Sequence, residues 1–313
     1  MPDLNSIYEI RGVVQPYPWG GRNFIPELLG VPNPAGQPQA EYWLGAHPNA
    51  SSQVVQKDQT KPLDQMIALH PQEWLGKLVY QQFGRLPYLF KILDVKDMLS
   101  IQAHPSKAAA EKGFQDEERR GIPLLAAHRN YKDDNHKPEL MFALSEFWLL
   151  QGFKEPALLE TTLQSVPELQ FLIPAWEKEG YISLYETVML LPQAEVQRRL
   201  SPLFDRLLPL YEAGKLKKDS PDFWAARACQ TFCKGGALDR GIFSIYLLNL
   251  VHLNPGEAVY QDVGVLHAYL EGQNVELMAN SDNVLRGGLT SKHVDVVELI
   301  KQVRLLILQQ YQL

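Results

Sequence analysis

The sequence predicts a mainly β protein with a helical insertion, and three observations support that prediction. From residue 1 to about 150, short β-branched and aromatic runs alternate with Gly and Pro, as in the strands of a sandwich or barrel. From about 155 to 232, apolar residues recur every three or four positions, which is typical of helices. After Gly235 and Gly236 the strand pattern returns. We therefore expect a discontinuous β-rich domain (1–150 and 236–300), a helical insertion domain (151–235) and a C-terminal tail (301–313).

Local signals predict individual elements in chain order. Ser106 is placed to cap a helix in the Ala-rich segment KAAAEKGF that follows it. In the insertion, Ser201 and Pro202 predict that two helices abut, because Pro suits the first turn of a helix. The segment LNPGE, residues 253–257, predicts a turn between two strands. The last residues, 294–313, predict a final helix.

Composition excludes several classes of protein. The chain has 313 residues, 45% of them hydrophobic and 21% charged, which is enough for a core without disulfides. No apolar run approaches the roughly 18 residues of a membrane span, and the start lacks a secretory pattern, so we expect a cytoplasmic protein. The net charge is −6 and the sequence has no basic stripe, which argues against a nucleic-acid-binding protein. Cys229 and Cys233 predict two small buried hydrophobes on one helical face.

Three segments bring together residue types that bind metals. In LSIQAHPS, the side chains of Ser100, Gln102 and His104 share one face if the segment is extended. In YKDDNHKPEL, alternation places Glu139 on the same face as Lys137, and Pro138 predicts an edge or bulged strand.

The third segment begins at His267, shortly after a glycine turn, and continues to Glu276, Asp282 and Arg286. The two imidazoles, with the Glu139 carboxylate and the Gln102 amide oxygen, suit a borderline metal such as zinc. One negative charge among four ligands would leave the ion a strong Lewis acid for a sugar oxygen.

The segment YKDDNHKPE, residues 131–139, resembles the motif of the type I mannose-6-phosphate isomerases. Seven fixed positions match, which by chance at a given site happens roughly once in a billion. A second family motif, HAYLEGQNVELMANSDNVLRGGLTSK, departs at Gly287, where the family usually has Ala, and at Ser291, where it usually has Pro. The segments PYPWGG, EYWLGAHP, LFKILDVKDMLSIQAHP and LNPGEAVY follow the family order.

The resemblance implies a cupin-type β-sandwich (jelly roll) that interconverts mannose 6-phosphate and fructose 6-phosphate. It implies one Zn²⁺ per chain, held by Gln102, His104, Glu139 and His267. It further implies a substrate pocket lined by Ser100, Lys91, Lys137 and Arg286, with Glu41, Glu276 and Asp282 nearby.

Aldose–ketose isomerisation transfers a proton between adjacent carbons through an enediolate. We expect Zn²⁺ and Arg286 to stabilise the negative charge that develops on oxygen. The base is a carboxylate or a metal-bound water; Glu276 and Asp282 are the candidate carboxylates, and the sequence does not choose among them. Lys137 could polarise a substrate oxygen or assist ring opening, and Ser100 could donate to the phosphate. The expected partner is a phosphorylated hexose bound to a monomer, with no nucleic acid or membrane.

Two other functions are alternatives. An iron-dependent dioxygenase would favour two His and one carboxylate, or three His, with open positions for oxygen, and Gln102 and Arg286 argue against it. A catalytically impaired or non-catalytic sugar-phosphate-binding cupin is the second alternative. Longer family members continue past VEL into a further β-domain, with which LLILQQYQL does not align.

Overall fold

A computed structural model describes residues 7–56 and 59–304. Within them, the strands are β1 (Glu9–Arg11), β2 (Val13–Gln15), β3 (Glu41–Leu44), β4 (Gln53–Gln56), β5 (Gln59–Pro62), β6 (Tyr88–Val95), β7 (Ile101–Ala103), β8 (Glu139–Ala143), β9 (Phe147–Phe153), β10 (Leu248–Leu253), β11 (Ala258–Gln261), β12 (His267–Ala279) and β13 (Leu285–Gly288).

The α-helices are α1 (Phe24–Leu29), α2 (Leu63–Leu69), α3 (Pro71–Phe83), α4 (Lys107–Arg119), α5 (Pro156–Ser165), α6 (Ile173–Glu179), α7 (Tyr181–Leu190), α8 (Gln193–Glu212), α9 (Pro221–Phe232), α10 (Gly241–Leu247) and α11 (Val296–Gln302). Two short 3-10 helices, Pro167–Leu172 and Lys234–Gly236, complete the helical segments.

All strand pairs are antiparallel, and the long strand β12 connects two groups of strands. The first residues of β12 pair with β7 and β9, whereas its later residues pair with β6 and β8. One group therefore runs β11–β8–β12–β6–β3–β2, and the other contains β10, β9, β12, β7 and β13. The strands β1, β4 and β5 form a separate small sheet.

Gly272 lies where β12 passes from one group to the other. Its φ of 130° is a conformation that side-chain-bearing residues rarely adopt. A Cβ atom at this position would lie 2.6 Å from the carbonyl oxygen of Glu146, so only glycine fits between the strands. The glycine thus allows one strand to belong to both groups.

The two groups pack against each other through one apolar cluster. Both supply buried side chains to it, and these are Leu93, Val95, Met141, Ala143, Phe147, Leu149, Val251, Leu253, Val259 and Tyr269. A larger apolar cluster contains side chains of the helices α5 through α10 and of the strands β7, β9 and β13. The helical segment therefore rests on the second group of strands.

The proportion of strand is lower than the sequence predicts, and the fold is mixed rather than mainly β. More of the described residues lie in helices than in strands, partly because four helices, α1–α4, lie within the first 150 residues. The expected strand at 241–247 is also wrong, since these residues form α10. All seven are buried, and a short apolar run that is buried on every side fits a helix as well as a strand.

Two further local predictions are wrong. The segment around Pro202 is one continuous helix, α8, and not two abutting helices. Its apolar face, including Leu200 and Leu203, is fully buried, and that burial outweighs the hydrogen bond lost at proline. The predicted edge or bulged strand around Pro138 is also absent: residues 131–138 are irregular, and the strand begins at Glu139. That strand, β8, is not an edge strand, because it pairs with both β11 and β12.

Other local predictions are confirmed. The Oγ of Ser106 accepts a hydrogen bond from the Ala109 amide at the start of α4. The turn at 253–257 joins β10 to β11 and carries the chain from one group of strands to the other. The prediction for the two cysteines is confirmed only in part: both are free, but they are half-buried, and Cys233 lies just beyond the last residue of α9. The last predicted helix is α11, seven residues long, and residues 305–313 lie outside the described part. None of the described helices combines the length and apolarity required to cross a membrane.

Candidate metal centre and substrate cavity

Three buried side chains converge where the two groups of strands meet. His104 follows β7, Glu139 begins β8 and His267 begins β12. The Nε2 atoms of both histidines lie 3.4 Å from the Glu139 carboxylate, one from each oxygen. One ligand atom from each residue lies within 4.8 Å of the other two, so this group could hold a metal ion.

Backbone carbonyls fix the orientation of both imidazoles. The Nδ1 of His104 lies 2.7 Å from the Asn283 carbonyl oxygen, and the Nδ1 of His267 lies 2.9 Å from that of Val265. Since a carbonyl only accepts, each Nδ1 carries the proton and each Nε2 presents a lone pair. Neither Nε2 has a hydrogen-bond partner within the described residues, and nor does Glu139 Oε2. Unpaired buried polar atoms are costly, so the donor set fits a cation that would bind all three.

The protonation states of these groups also suit a metal. Burial, with a contribution from Lys137, lowers the pKa of His104 to about 4, which keeps its imidazole neutral at pH 7. Burial alone would raise the pKa of Glu139, but the Lys137 ammonium and His104 hold it well below its usual range. The Lys137 ammonium lies 2.9 Å from Glu139 Oε1. The centre therefore presents a neutral imidazole at His104 and a carboxylate at Glu139.

Beside this centre lies a cavity of about 1390 Å³. Every predicted site residue except the two histidines lines it, namely Glu41, Lys91, Ser100, Gln102, Lys137, Glu139, Glu276, Asp282 and Arg286. Gln102 lies directly opposite both His267 and Arg286 in the strand pairing. The structure thus brings all eleven predicted residues to one place; their individual roles stay predictions.

A buried lysine lies between two carboxylates on one side of the cavity. The Lys91 ammonium lies 3.2 Å from Glu41 and 3.4 Å from Glu276. Burial alone would lower the pKa of Lys91, but the two carboxylates raise it above its usual value. Tyr269 donates a hydrogen bond of 2.9 Å to the other oxygen of Glu276. Lys91 is therefore a fixed positive charge that is already neutralised by protein groups.

Glu276 and Asp282 differ in environment, which the sequence could not distinguish. Glu276 is buried, and burial followed by the charge of Glu139 raises its pKa. Asp282 is half-exposed, and its carboxylate lies 3.2 Å from His47 Nε2. Burial would raise the pKa of Asp282, but its hydrogen bond to His47 lowers it. Of the two, Glu276 has the higher affinity for a proton.

Three cations line another part of the cavity, and two of them are absent from the sequence prediction. These are Arg286, Lys132 and Lys292. Burial lowers the pKa of each, and the neighbouring Arg286 charge lowers that of Lys292 further. Lys132 and Lys292 lie inside the two family motifs, but a lysine between fixed positions is usually a solvated charge. Their placement in the cavity depends on tertiary structure.

Asn283 is a further residue that the sequence analysis missed. Its backbone carbonyl holds His104, while its side-chain oxygen accepts from the Lys132 amide at 2.6 Å. Its side-chain nitrogen donates to the carbonyl oxygens of Asp133 and Asn135. Asn283 thus ties the two family motifs together behind the metal centre. The signal available was the place of Asn283 inside the second family motif, and its partner Asp133 lies 150 residues away.

Comparison with known proteins agrees with this geometry. The family model described as phosphomannose isomerase type I, catalytic domain, matches residues 7–156. Mannose-6-phosphate isomerase of Salmonella typhimurium is 41% identical over 302 residues, covering 93% of this chain and 73% of the relative. The human enzyme of the same name is 36% identical over 324 residues, covering 95% of this chain and 73% of the relative.

Solved structures give the same result. A zinc-bound crystal structure of mannose 6-phosphate isomerase superposes with a TM-score of 0.84 at 38% identity. The match covers 95% of this chain and 74% of that one. The two family motifs, the convergence of His104, Glu139 and His267, and these similarities lead to one conclusion: the chain belongs to the type I phosphomannose isomerase family.

Proposed function

We propose that this chain interconverts D-mannose 6-phosphate and D-fructose 6-phosphate in the described cavity. One observation carries the proposal: three orphaned, buried ligand atoms lie beside a cavity that is lined by a buried carboxylate of raised pKa and by a group of cations. Isomerisation of a sugar phosphate requires a charge-stabilising centre, a base and an anion site, and the cavity offers one of each. The activity of the named relatives supports the same reaction.

We propose that His104, Glu139 and His267 hold one zinc ion, with Gln102 as fourth ligand. Ligand atoms about 2.1 Å from a tetrahedral zinc lie about 3.4 Å apart. Each Nε2 lies 3.4 Å from one oxygen of Glu139, His104 from Oε1 and His267 from Oε2, and each separation matches the edge length of such a tetrahedron. A bound zinc ion supplies positive charge that favours an enediolate oxygen over a neutral sugar oxygen.

The residues of this chain then divide the chemistry as follows. Glu276 accepts the proton from one substrate carbon and returns it to the adjacent carbon, since its raised pKa suits both directions. Lys91 and Tyr269 hold one carboxylate oxygen each and so fix its direction. Lys137, beside Glu139, lies where it would donate to a substrate oxygen near the metal. Ser100 would add a hydroxyl donor for the phosphate.

The cations Arg286, Lys132 and Lys292 form the part of the site that would bind an anion. A hexose phosphate carries close to two negative charges at neutral pH, since its second pKa is about 6. Lys91 and Lys137 already face protein carboxylates, whereas no ion pair of Arg286 or Lys292 occurs within the described residues. We assign the phosphate to Lys132 and Lys292, and the developing enediolate charge to Arg286.

We further propose that the strand groups form a cupin-type jelly roll, over 1–150 and 236–300, with residues 151–235 as the helical domain. The apolar cluster shared by the two strand groups and the unbroken run of helices from Pro156 to Phe232 support this division. Residues 301–304 end the described chain beside Gly264, where the Arg304 amide donates to the Gly264 carbonyl. A cytoplasmic monomer stays the prediction of the sequence.

The proposed function is tested by a coupled assay of fructose 6-phosphate formation from mannose 6-phosphate. We expect turnover that is lost on incubation with a chelator and restored by stoichiometric Zn²⁺. Fructose 6-phosphate that binds to the zinc-loaded protein without conversion would instead identify a non-catalytic sugar-phosphate-binding protein. Oxygen consumption on addition of Fe²⁺ would favour the dioxygenase alternative.

Arg286→Ala tests the role of the buried guanidinium. We expect kcat to fall by about 10²–10³-fold, because a charge-stabilising donor is removed from the site of developing charge. Zinc content, measured by atomic absorption, should stay at one per chain, since Arg286 pairs with the proposed ligand Gln102 through the backbone of β13 and β7, which alanine retains. Arg206→Ala is the matched control. It removes an exposed arginine of α8 that pairs with Glu168. Unaltered turnover of Arg286→Ala would remove this residue from the mechanism.

A further inference from the structure

The segment between two of the cavity cations has an unusual backbone. Arg286 precedes it and Lys292 ends it, so the placement of both side chains depends on residues 287–291. Within it, Gly288 has φ 127° and Leu289 has φ 54°. Leu289 is the non-glycine residue with positive φ in the described chain, and its side chain is fully buried. Such a conformation persists only where the surroundings impose it.

One carboxylate imposes this conformation. Asp239 Oδ1 accepts hydrogen bonds from the amides of Gly241 at 2.7 Å and Leu289 at 2.9 Å. Its Oδ2 accepts a third, from the Thr290 amide at 3.2 Å. Asp239 lies between α9 and α10, outside both family motifs and away from the metal ligands. It therefore links the helical segment to the backbone that carries Arg286.

The surroundings leave the segment little room. A Cβ atom at Gly241 would lie 2.6 Å from the Leu289 amide nitrogen, so the two backbones are in direct contact. A Cβ atom at Gly287 would lie 2.7 Å from the Tyr185 hydroxyl of α7. This explains why glycine replaces the usual family alanine at 287. The segment is thus seated on the helices, and Asp239 supplies the hydrogen bonds that fix its register.

We propose that Asp239 is a positioning residue. By accepting hydrogen bonds from the Leu289 and Thr290 amides, it holds Arg286 and Lys292 in the anion-binding part of the cavity. The inference rests on the proposed function for the identity of the substrate only. The fixed direction of the two cations depends on the carboxylate whatever anion they bind. A displacement of about 1 Å in such groups is enough to lower a rate 10²-fold.

The test compares Asp239→Ala and Asp239→Asn with Leu200→Ala in the zinc-loaded protein. Leu200 is fully buried on α8, so its truncation lowers stability without touching the segment. The measurements are amide hydrogen exchange of the 286–292 peptide, the Kd of inorganic phosphate by calorimetry and kcat/KM for mannose 6-phosphate. All are made well below the Tm of each variant.

For Asp239→Ala we expect faster exchange at 289–290, at least tenfold weaker phosphate binding and kcat/KM lower by about 10²-fold, with zinc content unchanged. Asp239→Asn retains one acceptor oxygen but replaces the other with a donor, so its losses should be intermediate. Leu200→Ala should lower Tm and leave the Kd of phosphate within twofold.

Three results would overturn the proposal. The first is an unchanged phosphate Kd in Asp239→Ala despite faster exchange, and the second is an equal loss of phosphate binding in Leu200→Ala. The third is a wild-type protein that does not bind phosphate. A wild-type protein that binds phosphate but shows no isomerase activity would contradict the proposed function alone, because the exchange and phosphate measurements do not require turnover.

Discussion

His267→Ala is expected to yield a protein without zinc. The substitution removes one of three convergent ligand atoms. Among the described residues, the group contains no further His, Cys or carboxylate that could take its place. Changes to residues that only orient a ligand cost about 10–100-fold in metal affinity, so loss of a ligand itself should cost more than 100-fold. Metal content falls from about one ion per chain to near zero, and isomerase activity falls with it.

The fold should survive this change. Glu139 keeps its ion pair with Lys137 at 2.9 Å, so its buried charge stays compensated when the imidazole and the metal are absent. We therefore expect a native circular dichroism spectrum and cooperative unfolding, with a lower Tm because the stabilisation by bound metal is lost.

His252→Ala is the matched control for His267→Ala. His252 lies on β10, two strands from β12, where its ring stacks on Trp148 with centroids 4.2 Å apart; it is outside the ligand group and outside the cavity lining. This variant should retain one zinc per chain and normal turnover. A His267→Ala protein that keeps stoichiometric zinc would refute the assignment of that ligand.

The metal centre was predictable because its ligands occupy fixed positions in short motifs. Alternation placed Gln102 beside His104, and the motif at 131–139 supplied Glu139. The groups that orient these ligands were not predictable in the same way. The carbonyls of Asn283 and Val265 that hold the two imidazoles are backbone atoms, and every residue type has one. Only the folded chain shows which carbonyl faces which ring.

The helices illustrate a different limit. Periodicity located the helical face of α8, but the local proline rule then divided a helix that tertiary burial keeps whole. The run Gly241–Leu247 is apolar on all sides and carries no period that separates strand from helix. In both cases the deciding term is contact with side chains distant in sequence.

The contribution of Asp239 was unpredictable for a related reason. Its carboxylate serves backbone amides 50 residues further along the chain, and no motif contains it. The departure at Gly287 was visible in the sequence, but its cause, the Tyr185 hydroxyl, belongs to the helical segment. Both contacts show that the helices contribute to the site, which the motifs alone assign to the strands.

Glu276→Gln is expected to lower kcat by about 10²–10⁴-fold while changing substrate affinity only a few-fold. The amide is isosteric: its oxygen can accept from Lys91 and its nitrogen can donate to the Tyr269 hydroxyl oxygen, but it cannot accept the substrate proton. Lys91 also keeps Glu41 as a partner at 3.2 Å, so the buried ammonium stays compensated and the fold is retained. Exchange of the transferred substrate hydrogen with D₂O, followed by NMR, should disappear together with turnover.

Asp282→Asn provides the discriminating control, because Asp282 is the other carboxylate in the cavity. Its hydrogen bond with His47 and its lowered pKa make Asp282 a poor proton acceptor, so we expect kcat to fall less than tenfold. A larger loss in Asp282→Asn than in Glu276→Gln would reverse the assignment of the base.

The pH dependence of the wild-type enzyme tests the same assignment independently. A base must be ionised to accept a proton, so activity is lost as the pH falls through its pKa. Burial, and next the Glu139 charge, raises the pKa of Glu276 above the ordinary value of 4.5, which moves the acid limb of kcat/KM upward from that value. Asp282, whose pKa is lowered, would instead place the limb below 3.8. Zinc content measured across the same pH range separates base protonation from metal loss, and an acid limb below 3.8 with zinc retained would contradict the assignment of Glu276.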